Sequence, residues 1–154
     1  MVVTGFEQYA VGQVFTSGPQ RVDAAEIKSF ARQFDGQPQH IDEDAARGSI
    51  FGTLVASGWH TASLTMRLLL ESALAGVAGR SMGVRMDDLA WLAPVYPGDS
   101  LYAVSEVTEL HPSRSRPDRG LVTMRTTTRN QDGVAVQEML SMVMILRSDA
   151  PARA

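Results

Sequence analysis

The chain has no cysteine among its 154 residues. That excludes disulfides, thiolate nucleophiles and cysteine-based zinc sites, although it says little about compartment. An excess of positive charge is also missing. Fourteen Lys and Arg stand against 17 Asp and Glu, for a formal net charge of -3. Nucleic-acid-binding domains are usually clearly basic, so nucleic acid is not an expected partner. There is no internal repeat, low-complexity tract or interdomain linker. Long uninterrupted apolar runs are absent too. The N-terminal stretch MVVTGFEQYAVGQVF has neither a basic region nor a continuous apolar segment, so no signal peptide is expected. The longest helical apolar stretch, Trp59 to Ala78, is interrupted by Arg67 and Glu71. Two charges at that length weigh against a membrane span. The expectation is a cytoplasmic protein with no membrane contact.

What is present is ordinary for a globular domain: 44% hydrophobic and 20% charged residues. A chain of this length can bury roughly 70% of its unfolded surface and needs no staple. One domain is expected over residues 1–147, with a flexible tail at 148–154. A first helix is predicted from Ala24 to Phe34, with Ile27, Phe30, Ala31 and Phe34 on one face. Asp23 is a good N-cap, Glu26 completes a capping-box pattern, and Val22 and Ile27 are placed for a hydrophobic staple. Gly36 and Pro38 end this helix, because proline disfavours the helical region for Gln37. Asp35 to His40 is therefore read as irregular, with a short helical turn at Asp42 to Arg47. A second helix is predicted from Ser57-Gly58 to about Ala78. It is apolar nearly all round, which implies burial on most sides. Gly76 and Gly79 offer its C-terminal stops.

From Met82 onward the pattern changes to strands: Met82 to Leu92, Leu101 to Leu110, Leu121 to Arg129 and Val134 to Leu146. Pro97-Gly98-Asp99 and Asn130-Gln131-Asp132-Gly133 mark turns, and His111 to Gly120 a longer loop. A buried helix followed by strands on short turns predicts an α+β fold, an antiparallel meander wrapped around the long central helix.

Three segments add a resemblance. Phe34-Asp35-Gly36-Gln37-Pro38-Gln39-His40 resembles the hydratase signature of MaoC-like proteins: Asp, any residue, Asn, Pro, an apolar residue, His. Val55-Ala56-Ser57-Gly58-Trp59-His60-Thr61-Ala62-Ser63-Leu64 resembles the segment that opens their central helix. Trp91-Leu92-Ala93-Pro94-Val95-Tyr96-Pro97-Gly98-Asp99 resembles their aromatic-x-x-Pro-Val-x-Pro-Gly-Asp strand and turn. The three occur in family order. The family includes R-specific enoyl-CoA hydratases and the hydratase domains of peroxisomal multifunctional enzymes. The resemblance implies the hot-dog fold and reversible hydration of a trans-2-enoyl-CoA to the 3-hydroxyacyl-CoA, with no cofactor. It also implies Asp35 and His40 as the catalytic pair. Departures from the pattern are Gln37 for Asn, Gln39 for an apolar residue and Ser57 for the His before Gly58. Met66 stands where some members have a helix serine.

These residue types suit the chemistry. Hydration needs a base for the attacking water, an acid for Cα and a donor for the enolate oxygen. Asp and His, with ordinary pKa values of about 3.9 and 6.5, can supply the first two near neutrality. The sequence leaves open which takes the first proton. Gly58 begins the central helix, where N–H groups lack internal partners and the dipole favours negative charge. Its N–H is the expected oxyanion donor, glycine allowing close approach. Gln37 and Ser57 are candidate substrate-binding residues, Ser57 being first of all an N-cap.

Other residues have plainer expectations. His60 is read as structural, His111 as solvated, and Met139, Met142 and Met144 as core filling. Trp91 and Tyr102 are expected to pack in the sheet. Arg114, Arg116 and Arg119 either meet coenzyme A phosphates or form a solvated loop. The histidine spacing fits no metal motif. Two rival functions remain: a hot-dog thioesterase, against which counts the absence of a carboxylate between Ser57 and Glu71, and a non-catalytic acyl-thioester-binding subunit. Exposed strand edges make a homodimer or higher homo-oligomer the expected assembly.

Overall fold

Local signals set the first half of the chain much as the sequence implies. The computed structural model describes residues 2–151. Helix α1 spans Ala24–Phe34, and the Asp23 carboxylate accepts a hydrogen bond from the Glu26 N–H at 2.8 Å. Ile27 and Ala31 are fully buried, but Phe34 is 70% exposed and packs its ring at a tilt against Phe30. The segment read as irregular contains one helical turn, α2, Pro38–Ile41. Proline at its first position suits it, since the missing N–H is one that a helix start leaves unpaired. Helix α3, Glu43–Arg47, follows, capped by Asp42.

Helix α4 runs Gly58–Leu70, eight residues short of the expected end at Ala78. Turns and a 3-10 segment, Ala75–Val77, complete the connection. Gly76 is glycine for a packing reason: a side chain there would strike the Val3 carbonyl. Nor is α4 buried all round. His60, Thr61, Leu64, Thr65, Leu68 and Leu69 face inward, while Trp59, Met66 and Leu70 are about half exposed.

Five antiparallel strands form one sheet. They are β1 (Val14–Arg21), β2 (Ser81–Trp91), β3 (Ser100–Pro112), β4 (Arg119–Arg129) and β5 (Ala135–Leu146). Strand β1 carries Gly18 and Pro19 in its middle, where its register against β3 shifts. That interruption hides its pattern in the sequence. Proline is tolerated because β1 lies at the sheet edge. The order β1-β3-β4-β5-β2 corrects the simple meander. β3, β4 and β5 follow one another, but β2 pairs with β5 at the far edge. Residues 92–99 therefore cross from one side of the sheet to the other. The expected loop at 111–120 is mostly a hairpin, Pro112 lying opposite Gly120.

The core lies between α4 and the sheet. One cluster gathers Phe6, Tyr9, Leu69, Leu74, Met124 and Ile145; the other gathers Val22, Ile27, Leu64, Leu68 and Leu101. Met139 belongs to the first cluster, whereas Met142 and Met144 are only half-buried on the opposite face of β5. The segment expected to be a tail is tied down at its start. Ser148 donates from its N–H and hydroxyl to Glu7, and Arg80 donates to the carbonyls of Arg147 and Ala150. Residues 152–154 lie outside the described part. Among the described residues no helix is long and apolar enough to cross a membrane.

Candidate active site

The end of α1, the turn α2, residues 55–57 and the start of α4 converge on one point. Asp35 caps α1, its N–H bonded to the Ala31 carbonyl. The sharp turn through Gly36 and the start at Pro38 swing α2 back, so that the buried His40 faces Asp35. His40 Nε2 lies 3.5 Å from Asp35 Oδ2. The other ring nitrogen, Nδ1, is 2.7 Å from the Val55 carbonyl. A carbonyl only accepts, so Nδ1 carries a proton, and Nε2 is the nitrogen left to exchange one.

Both oxygens of Asp35 are engaged. Ser57 Oγ donates to Oδ2 at 2.6 Å, and Gln37 Nε2 donates to Oδ1 at 2.8 Å. Gln39 Nε2 in turn donates to Gln37 Oε1 at 3.1 Å. Burial pushes the Asp35 carboxyl upward, but the bonds from Ser57 and Gln37 and the nearby His40 outweigh it and hold the pKa below its ordinary value. Asp35 is therefore an ionised, oriented carboxylate at neutral pH. Ser57 also caps α4, accepting from the Trp59 N–H at 3.2 Å. It serves two purposes, where the sequence suggested chiefly one.

A cavity of about 480 Å³ opens beside this group. Asp35, Gln37, His40 and Gly58 line it, with Thr61 below them and Ile50, Phe51, Trp59, Trp91 and residues 92–95 as apolar walls. Ser57 is 1% exposed and stands behind Asp35, outside the lining. Four of the five expected site residues thus share a cavity, and the fifth bonds to one of them. The sequence did not reveal Val55, which acts through its backbone and has no side-chain signature. Nor did it reveal Trp91 as a wall: that residue is half exposed, against the expectation that it packs inside the sheet. Tyr102 is also exposed at 40%.

Gly58 acquires a second reason to be glycine. A Cβ there would lie 2.5 Å from the Trp91 indole. Loss of activity on enlarging residue 58 would report that collision as well as any effect on a bound carbonyl.

The remaining expectations divide. His60 is buried and stacks on Phe30, ring centroids 4.8 Å apart. His111 is exposed and pairs with Glu109. Among the described residues no group of three or more His, Asp or Glu is arranged to hold a metal ion. The arginines of the β3–β4 hairpin lie at the wrong end of the sheet. Arg119 sits opposite Leu146, whereas Trp91 at the cavity sits opposite Gln137. At 3.3 Å per residue that separates them by about 30 Å along β5. Within one chain they do not reach the cavity, and Arg119 is bonded to Asp118.

Residues 6–130 match the model of the MaoC like domain. The chain belongs to the MaoC-like family. It is 47% identical to a MaoC-like dehydratase from Rhodospirillum rubrum whose crystal structure is known, with a TM-score of 0.87 over 96% of this chain and 99% of that one. The (R)-hydratase of A. caviae involved in PHA biosynthesis is 30% identical, with a TM-score of 0.72 over 89% of this chain and 97% of that one. The uncharacterized protein YdeM of Bacillus subtilis (strain 168) is 33% identical over 143 residues, 92% of this chain and 98% of the relative. The α+β architecture is accordingly the hot-dog fold. In this MaoC-like chain the departures cluster on one carboxylate: Gln37 and Ser57 both bond to Asp35, and Gln39 bonds to Gln37.

Proposed function

We propose that the protein is an acyl-thioester hydratase and dehydratase, adding water reversibly to a trans-2-enoyl-CoA to give the 3-hydroxyacyl-CoA. The observation that carries this reading is the pair of half-buried Asp35 and buried His40 on the cavity wall, with His40 oriented by Val55 and Asp35 by Ser57 and Gln37. In the hydration direction, Asp35 accepts a proton from water as the water oxygen bonds to Cβ. The Cα–Cβ π electrons move toward the thioester carbonyl, and His40, entering as imidazolium, delivers its Nε2 proton to Cα. Proton return from Asp35 to His40 restores the pair. The Gly58 N–H at the start of α4 stabilises the enolate oxygen. A carboxylate held ionised by two donors suits the accepting role.

For assembly we propose a homodimer at minimum. Strand β2 is an unpaired sheet edge, and Met82, Val84, Met86, Trp91 and Leu92 on or beside it are about half exposed. Light scattering showing a stable monomer at micromolar concentration would refute this.

The functional test is product analysis with a trans-2-enoyl-CoA, scored by loss of the conjugated absorbance. Hydroxyacyl-CoA supports the proposal. Release of free coenzyme A points to the thioesterase rival, and binding without turnover to a non-catalytic subunit.

A further inference from the structure

A continuous buried polar chain runs from the core to the cavity wall. Thr65 on α4, Thr128 on β4 and Gln137 on β5 are all 0% exposed. Thr65 donates its single hydroxyl proton to the Thr61 carbonyl at 3.0 Å. Its oxygen must then accept from the others: Thr128 Oγ1 at 2.7 Å and Gln137 Nε2 at 3.1 Å. This leaves Gln137 Oε1 free to accept from Nε1 of Trp91, a residue of the cavity wall, at 3.0 Å. Indole N–H can only donate, so the amide has one orientation that satisfies both ends. The polar side-chain atoms of Thr65, Thr128, Gln137 and Trp91 are all paired with one another or with the Thr61 carbonyl, the condition under which a buried network rigidifies its surroundings.

The backbone also aims Trp91 at this network. Asp87 lies opposite Leu140, but Trp91 lies opposite Gln137, so β2 carries one extra residue between them. Asp88, at φ 51°, is in the left-handed region there. Without that residue, position 91 would fall opposite Val136 and its side chain would turn to the other face. The bulge instead lays the indole on Gly58 and sets its ring edge-on to Trp59, with centroids 5.0 Å apart. Three independent constraints thus hold one aromatic wall beside the proposed thioester position: a hydrogen bond, a bulge and a glycine with no side chain.

We infer that Gln137 is a positioning residue that latches Trp91, and that the latched indole limits the length of acyl chain the cavity accepts. This rests on the hydratase reading for its substrate, but the latch itself does not. A fixed wall rejects a longer chain more firmly than one that can swing aside.

The test has two readouts. In a Trp59→Phe background Trp91 is the sole tryptophan, since the chain has 2. There, Gln137→Met is expected to raise acrylamide quenching of Trp91 and shift its emission. Unchanged quenching and emission overturn the latch, whatever the activity. The second readout is kcat/KM across a ladder from crotonyl-CoA to dodecenoyl-CoA. Trp91→Ala is expected to move the long-to-short ratio by about tenfold toward longer chains. Gln137→Met, and Trp91→Phe, which keeps a ring but loses the donor, should move it the same way by about twofold or more. The double variant Trp91→Ala/Gln137→Met should match Trp91→Ala alone. Additive effects, or a lowered unfolding midpoint with an unchanged ratio, overturn the specificity role. If the wild-type protein hydrates no member of the ladder, the hydratase reading falls and the chain-length role with it, while quenching still decides the latch.

Discussion

Among the described residues there are two histidine–carboxylate pairs, and the tighter one is not in the site. His111 Nε2 approaches Glu109 Oε2 to 2.9 Å, whereas His40 Nε2 is 3.5 Å from Asp35 Oδ2. The first pair is two residues apart on a strand, with side chains 57% and 60% exposed. The second is 7% and 17% exposed, and each member has further partners: Val55 for His40, Ser57 and Gln37 for Asp35. Distance alone does not make a reactive pair. A surface pair is screened and free to part. The Asp35–His40 pair is largely shielded, is oriented by neighbouring residues and faces a cavity.

The largest expected effect follows directly. Asp35→Asn and His40→Ala should each lower hydration of an enoyl-CoA by about a hundredfold or more, with circular dichroism unchanged. Glu109→Gln and His111→Ala should stay within about twofold of wild type and cost less than about 1 kcal/mol. Wild-type turnover in a folded Asp35 or His40 variant would abolish the contrast.

Ser57→Ala comes next and sharpens the account of Asp35. Removing a donor to a charged group costs about 1.5–3 kcal/mol, so activity should fall about tenfold. With that donor gone the Asp35 pKa rises, and the acidic limb of the kcat/KM profile should move to higher pH. Loss of the cap should also lower stability by about 0.5–2 kcal/mol. An acidic limb that does not move would separate Ser57 from Asp35.

Gly58→Ala should cost about 1–3 kcal/mol by overpacking against Trp91, read as a lower unfolding midpoint. Trp91→Ala should relieve that loss. Any deficit in turnover that persists in the double variant then reports on the approach to the Gly58 N–H, free of the collision.

The smallest effect concerns the third histidine. Burial, with Arg67 nearby, lowers the His60 pKa, against a weaker pull from Asp23. The unfolded chain therefore binds the proton more readily than the fold. Stability from this source is full above the unfolded value of about 6.5 and is lost as pH falls through that value toward the lower folded one. Thermal unfolding midpoints should drop between neutral pH and pH ~5, and His60→Phe, which keeps the stack on Phe30, should flatten the drop. Equal slopes in wild type and His60→Phe would remove His60 from the account.

What the sequence determined by itself is mostly local. Helix α1 and its Asp23 cap, the turns at Pro97-Gly98-Asp99 and Asn130 to Gly133, and four of the five strands are written in neighbouring residues. Their physics acts over a few positions: spacing, a cap, a backbone angle. The three ordered motifs added the family and named Asp35, His40 and Gly58. Strand β1 escaped because Gly18 and Pro19 break its alternation. The rest was decided by contacts between distant residues. Only the tertiary structure put β2 beside β5, turned His40 toward Asp35 by way of the Val55 carbonyl, and made Ser57 a donor to a carboxylate 22 positions away. Only there does the Trp91 indole lie on Gly58 and bond to Gln137, 46 positions along the chain. Such contacts leave no local pattern, because a glycine at a helix start looks the same with or without an indole over it, and any buried amide can accept the bond. It is the packing of α4 against the sheet that selects these few.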